Sequence, residues 1–231
     1  MFSRKKENEQ NPPAKEMTPE EAALLDRLTV NTQSSVRIGA EKVVYFDPFK
    51  IKGEPRDADV IFITHAHYDH FSPDDIEKVI NADTVFVIPA SMKQEMSKVG
   101  ADDEHTVALG PGESARVKGI FVETLPAYNV ERPFHPKKNG WLGYVITIGA
   151  VRVYVAGDTD ATDEAANVKC DVAVLPIGGT YTMNPKEARS LALTLSPSAA
   201  IPTHYGSIVG SPSDYDAFAK GLGFAVRKLN C

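Results

Sequence analysis

The tightest constraint on this chain is the form of its apolar runs. Residues 60–63 (VIFI), 85–88 (VFVI) and 172–175 (VAVL) each hold four apolar residues with no polar break. They are of strand length and lack the alternation of a half-solvated strand, so each reads as a strand buried on both faces. Strands of that kind need cover on both sides, which calls for a layered α/β arrangement.

The other signals agree with layers. Thr18, Pro19 and Glu21 form an N-cap, first-turn proline and capping box for a short helix with an apolar stripe at Leu24, Leu25 and Leu28. Ser72-Pro73-Asp74-Asp75 opens a second helix, "SMKQEMSKVG" a third that ends at Gly100, Asn184-Pro185-Lys186-Glu187 a fourth that runs to about Ser196, and "SPSDYDAFAKGLG" a fifth. Strands are expected in "SVRIGA", in "KVVYFDPF", on both sides of the Pro111-Gly112 turn, in a hairpin turning at Gly149, in "SAAIP" and in "FAVRKL". The order is β-rich first and α/β later in each half, which suggests two sheets in contact with helices outside. Residues 1–16 are polar, charged and proline-containing and read as a disordered tail, with residues 17–231 as a single domain.

Bulk composition narrows the function classes. A net charge of −6 argues against a general nucleic-acid binder. Two cysteines, Cys170 and Cys231, with no Cys-x-x-Cys, argue against a disulfide framework and a thiolate metal site, and point to a reducing, cytoplasmic compartment. No apolar run nears the roughly 20 residues of a membrane span, and no signal peptide is visible. Oligomeric state is open.

The chemistry sits where the first buried run ends. "FITHAHYDHFS" packs His65, His67, Asp69 and His70 into one short stretch. Histidine and aspartate are preferred ligands of zinc and similar divalent ions. His65 and His67, two apart, point the same way from an extended segment and can grip one ion, while Asp69 and His70 face a second position. Ligands from elsewhere are needed, and three stretches just past strand ends qualify: Asp158 in "GDTD", His204 in "THYG", and "PAYNVERPFHP" with Asn129, Arg132 and His135. His105 precedes a strand, away from any motif.

With these residues the chain resembles the metallo-β-lactamase fold superfamily: His65, His67, Asp69 and His70 match its His-x-His-x-Asp-His signature, Asp158 its later Asp, His204 its last His, and Asp47-Pro48 a common feature ahead of the signature. Within it, "LPAYN", "FHPK", "GDTD", "LPIGGTYTM" and "HYG" look like the small metal-dependent hydrolase branch, which includes ascorbate-6-phosphate lactonase-like proteins. The resemblance spans about residues 30–230 and implies a four-layer αββα sandwich. It departs from the superfamily at one place: where a histidine ligand normally follows a strand, this chain has Asn129, and either His135 supplies the missing ligand or that ion is held more weakly.

What the resemblance implies is a two-metal hydrolase. His65 and His67, with His135 or Asn129, hold the first ion; Asp69, His70 and His204 hold the second; Asp158 bridges. Two Zn(2+) per chain are expected, with Mn(2+) or Fe(2+) fitting the same donors. A metal-bridged hydroxide attacks a small ester, lactone or phosphodiester, Asp69 handles the proton, and Asn129, Arg132 and Tyr181 contact a small, possibly anionic substrate, with Lys137 and Lys138 as further cations. No nucleic acid or membrane partner is expected. The alternative is a metal-binding protein of the same fold without hydrolytic turnover.

Overall fold

A computed structural model describes residues 15–228. The expected tail lies outside the described residues except for Lys15 and Glu16, and Cys231 lies outside them as well. Lys15 reaches Asp171 at 2.5 Å and Glu21 at 3.4 Å.

Two sheets form the centre. The first is built from β1 (Leu28–Val30), β2 (Val36–Gly39), β3 (Val43–Phe46), β4 (Val60–Phe62), β5 (Val85–Pro89) and β6 (Thr106–Leu109), in that spatial order. The second contains β7 (Ser114–Val117), β8 (Ile120–Pro126), β9 (Leu142–Ile148), β10 (Val151–Val155), β11 (Val172–Pro176), β12 (Ala199–Thr203) and β13 (Ala225–Val226), again in chain order. Each sheet starts antiparallel and continues parallel: β1 to β3 are antiparallel and β3 to β6 parallel, β7 to β10 antiparallel and β10 to β13 parallel. The β-then-α/β order read in each half of the sequence is this repeat of topology.

The uninterrupted apolar runs are explained by three separate cores. Val60 and Phe62 of β4, with Val172 and Val174 of β11, face the space between the sheets. Ile61 and its neighbour Ile63 point the other way, against α2 (Pro73–Val79) and the helical segment Ala90–Val99. Ala173 and Leu175 likewise point outward, against α4 (Pro185–Leu195). Alternate side chains of one strand thus fill two different cores, and a polar residue at either parity would be buried without a partner. The remaining helices are α1 (Pro19–Leu25), α3 (Asp163–Ala166) and α5 (Asp214–Ala219). The result is the αββα sandwich that the resemblance implies.

Local signals mostly formed as read. Thr18 and Glu21 close a capping box on α1, and Asn184 and Glu187 close another on α4. The segment Ala90–Val99 differs: it winds as a 3-10 helix, ended by Gly100 at φ 67°. Met92 and Met96 are its buried residues, packed into the same outer core as Ile76 and Val79. The short helix α3, capped by Thr162, carried no signal that had been singled out. Among the described residues, no helix is long and apolar enough to cross a membrane.

One aromatic cluster joins the sheets directly beneath the histidine stretch. Phe46 stacks on Phe62 at 4.7 Å, and Tyr144 of β9 meets Phe62 edge-on at 5.2 Å. The Tyr144 hydroxyl donates to the Ile63 carbonyl at 2.7 Å, and the Leu142 N–H donates to the Thr64 carbonyl at 3.0 Å. The end of β4 is therefore held by both sheets, and His65 leaves from a fixed origin.

Close backbone approach sets the other side of the same edge. A Cβ added at Gly178, just past β11, would lie 2.2 Å from the His204 carbonyl oxygen and 2.7 Å from Val209 Cγ2. Gly178→Ala is expected to cost about 1–3 kcal/mol, since backbone has to move. Urea denaturation measures this, and an unchanged midpoint would contradict the packing.

Candidate metal centre

The candidate residues converge because strand ends converge. Asp47 follows β3, His65 and its neighbours follow β4, Asp158 lies three residues past β10, and His204 immediately follows β12. His135 comes from the loop after β8. The carboxyl ends of parallel strands are where sites form in sheets of this kind.

Three overlapping groups have donor atoms within 4.8 Å of one another: His65, His67 and His135; His65, His70 and Asp158; Asp69, His70 and His204. Asp158 is central. Its Oδ2 lies 3.1 Å from His204 Nε2, 3.3 Å from His135 Nε2 and 3.9 Å from His65 Nε2, and its Oδ1 lies 3.4 Å from His70 Nε2. Asp69 Oδ2 lies 3.5 Å from His204 Nε2 and 3.6 Å from His70 Nε2. Ligands at 2.0–2.2 Å around a tetrahedral ion are about 3.3–3.6 Å apart, so these spacings suit a shared cation. The buried Nε2 atoms of His70 and His135 and Oδ1 of Asp158 find no hydrogen-bonding partner in the protein. Orphaned nitrogen and oxygen donors aimed into one space fit a divalent ion.

The outward nitrogens fix the rings. His70 Nδ1 meets Asp47 Oδ2 at 2.7 Å, His65 Nδ1 meets Thr64 Oγ1 at 3.0 Å, and His135 Nδ1 meets Asn129 Oδ1 at 3.0 Å. Thr64 Oγ1 itself donates to Asp47 Oδ2 at 2.6 Å. Each of these contacts places the ring proton on Nδ1 and turns the Nε2 lone pair inward, the usual support of a metal-bound histidine.

The electrostatics describe a nest of acid groups in want of positive charge. Burial favours a neutral Asp158, but the His204 and His70 rings outweigh it and hold the carboxyl well below its ordinary pKa. Burial likewise opposes charge on His204, yet Asp158 and Asp69 raise it to about 9. His70 goes well above its ordinary value in the same way, against burial, through Asp158 and Asp47. His65 and His67 lack that balance, and burial lowers both.

A family model described as "Beta-lactamase superfamily domain" matches residues 26–205. The chain belongs to that superfamily. A relative from Thermococcus kodakarensis, named a UPF0173 metal-dependent hydrolase, is 30% identical over 198 residues, which cover 80% of this chain and 87% of that one. A relative of the same name from Thermoplasma acidophilum is 32% identical over 202 residues, covering 79% and 86%. Among solved structures, Igni18, a novel metallo hydrolase from Ignicoccus hospitalis, superposes with a TM-score of 0.72 over 87% of this chain and 94% of that one, at 23% identity, which speaks for the fold alone.

The departure from the superfamily's pattern has a definite geometry. Asn129 is buried, and its side chain faces away from the cluster: its amide donates to Asp160 Oδ1 and to the Tyr181 carbonyl, and its oxygen receives both the His135 backbone N–H and ring Nδ1. It backs His135, whose Nε2 joins His65 and His67. The polar atoms of Asn129, expected to contact substrate, are all engaged within the protein. Arg132 reaches Asp160 at 2.5 Å and Glu187 at 3.0 Å and is not among the residues that line the cavity over the cluster. Tyr181 does line it. Lys137 is paired with Glu164 at 2.6 Å, and His105 pairs with Asp102 away from the site.

Several supporting residues had been passed over in this superfamily member's sequence. Gln33 presents its carbonyl to the His204 N–H at 3.0 Å and its amide to Asp69 at 3.5 Å; nothing in "NTQSS" marks it. Trp141, as a lone tryptophan more often a core residue than a pocket wall, packs its ring 4.9 Å from both His65 and His67 and 5.5 Å from His135. Thr64 was legible, as the polar residue that ends a buried strand and abuts the first histidine.

Asn129→Ala removes the acceptor that aims His135 and takes one donor each from Asp160 and the Tyr181 carbonyl. Metal affinity is expected to fall about 10–100-fold, the usual cost of losing such support. Competition with a chromophoric chelator reads this out, and wild-type affinity would show that His135 needs no help.

Proposed function

We propose that this chain is a metal-dependent hydrolase that holds two Zn(2+), with Mn(2+) or Fe(2+) suiting the same donors, and cleaves a small ester, lactone or phosphodiester. The observation that carries this is the convergence of orphaned histidine Nε2 atoms on the buried Asp158 carboxylate. His65, His67 and His135 would hold the first ion, Asp69, His70 and His204 the second, with Asp158 between them. Divalent ions held there lower the pKa of a water toward neutrality and act as Lewis acids on the scissile group.

The protein's own residues have distinct tasks in this scheme. Asp47, Thr64 and Asn129 keep three imidazoles in the tautomer that presents Nε2. Asp69 borders the cavity and stays ionised at neutral pH: burial works against this, but His204 and His70 lower its pKa. Its carboxylate can therefore accept a proton from the attacking water. The relatives named metal-dependent hydrolase support the reaction class. The competing idea of a metal binder without turnover drew its strength from Asn129, and the position of His135 beside His65 and His67 weakens it. A cytoplasmic location, and action without nucleic acid or membrane, belong to the same proposal.

Elemental analysis of the purified chain is expected to find up to two divalent ions. Chelation should abolish hydrolysis of a panel of lactones, esters, thioesters and phosphodiesters, and added zinc or manganese should restore it. Asp158→Ala should lose both metal and activity, by at least 100-fold in kcat/KM. Undiminished hydrolysis by that variant would sink the proposal.

A further inference from the structure

The cavity over the metal cluster has a one-sided chemistry. Apart from the ligand-type residues, its lining is Tyr68, Phe134, Tyr181 and Ile208. No lysine or arginine lines it. Its volume is about 240 Å³, which admits only a small molecule.

The apolar residues are exposed where burial would be expected. Tyr68 is 66% exposed, Phe134 42% and Ile208 38%; among the described residues the only other exposed large apolar side chains are Met17 and Val130. Three such residues gathered at one cavity mouth mark a binding surface. The wall is also fixed, since Phe134 meets Tyr181 edge-on at 4.7 Å. Two nearby cations are paired elsewhere: Arg132 with Asp160 and Glu187, and Lys137 with Glu164 while it also lies over the Tyr128 ring at 4.5 Å.

We infer that the substrate is an uncharged ester or lactone with an apolar chain or ring on the acyl side, which lies against Tyr68, Phe134, Tyr181 and Ile208. This rests on the hydrolase reading above and narrows it. A phosphodiester or a phosphorylated sugar lactone would bring its charge to a cavity whose lining holds no lysine or arginine. In the reaction, the oxygen of water bonds to the carbonyl carbon and the bond from that carbon to the alkoxy oxygen breaks. One water proton goes to the departing alkoxide, and the acid formed gives up its proton to solvent. The products are an alcohol, or the hydroxyl of an opened lactone, and a carboxylate with an apolar tail.

Equilibrium binding of such carboxylates to the zinc-loaded protein, followed by Trp141 fluorescence, tests the inference apart from turnover. The dissociation constant should fall about fourfold per added CH2 from acetate through butanoate to hexanoate. Succinate should bind at least tenfold more weakly than butanoate. Phe134→Ser and Ile208→Ser, both at exposed positions, should flatten the gradient and leave metal content unchanged. A flat series in the wild-type protein, or succinate binding more tightly than butanoate, overturns the inference. The steep gradient together with no cleavage of any hexanoate ester or alkyl lactone supports the apolar pocket and removes the hydrolase reading instead.

Discussion

The site is organised around one buried carboxylate. Asp158 is 3% exposed and ionised, with four imidazoles turned toward it. A charge taken out of water at that depth needs compensation by opposite charge or by several hydrogen bonds. The imidazoles can provide the compensation by taking up protons, or they can present lone pairs to cations that provide it. Asp47 and Asn129 draw the ring protons of His70 and His135 outward, so the arrangement is built for cations.

Convergence of this kind requires both sheets. His65 and His70 come from the first, Asp158 and His204 from the second, and neither sheet alone assembles a complete donor set. The Phe46, Phe62 and Tyr144 cluster locks the two sheets together one turn of chain below the histidines. Stability and function are therefore joined at β4: its inward side chains build the central core, and its end launches the ligands.

Much of this was legible in the sequence, for reasons that differ from residue to residue. Uninterrupted runs at β4, β5 and β11 announced strands buried on both faces, and the caps at Thr18 and Asn184 announced helices, because these signals are local. The histidine stretch was legible because its spacing is itself the chemistry. Asn129 and His135 were harder. Which of the two turns inward depends on the fold of the loop 127–136, and on Asp160, 31 residues beyond Asn129, which takes its amide. Arg132 shows the same dependence: its partners Asp160 and Glu187 lie 28 and 55 residues downstream. Gln33 and Phe134 act only through long-range placement, and no short window shows that.

Of the seven non-glycine residues with positive φ among the described residues, three lie at or beside the cluster. Asp47 at φ 45°, His204 at φ 57° and Gln33 at φ 48° all adopt the left-handed region, which costs side-chain-bearing residues about 1–3 kcal/mol each. All three sit at or beside strand ends that meet the cluster. Each is held by contacts that a relaxed backbone would lose: Thr64 donates twice to Asp47, and the Gln33 carbonyl receives the His204 N–H. His204 leaves β12 by this sharp turn, with Gly178 in the only form that lets its carbonyl pass. A regular continuation of β12 would send the next side chain along the strand's alternation; the turn redirects the His204 ring to Asp158 and Asp69. At His204 the left-handed turn thus sets the direction of a ligand.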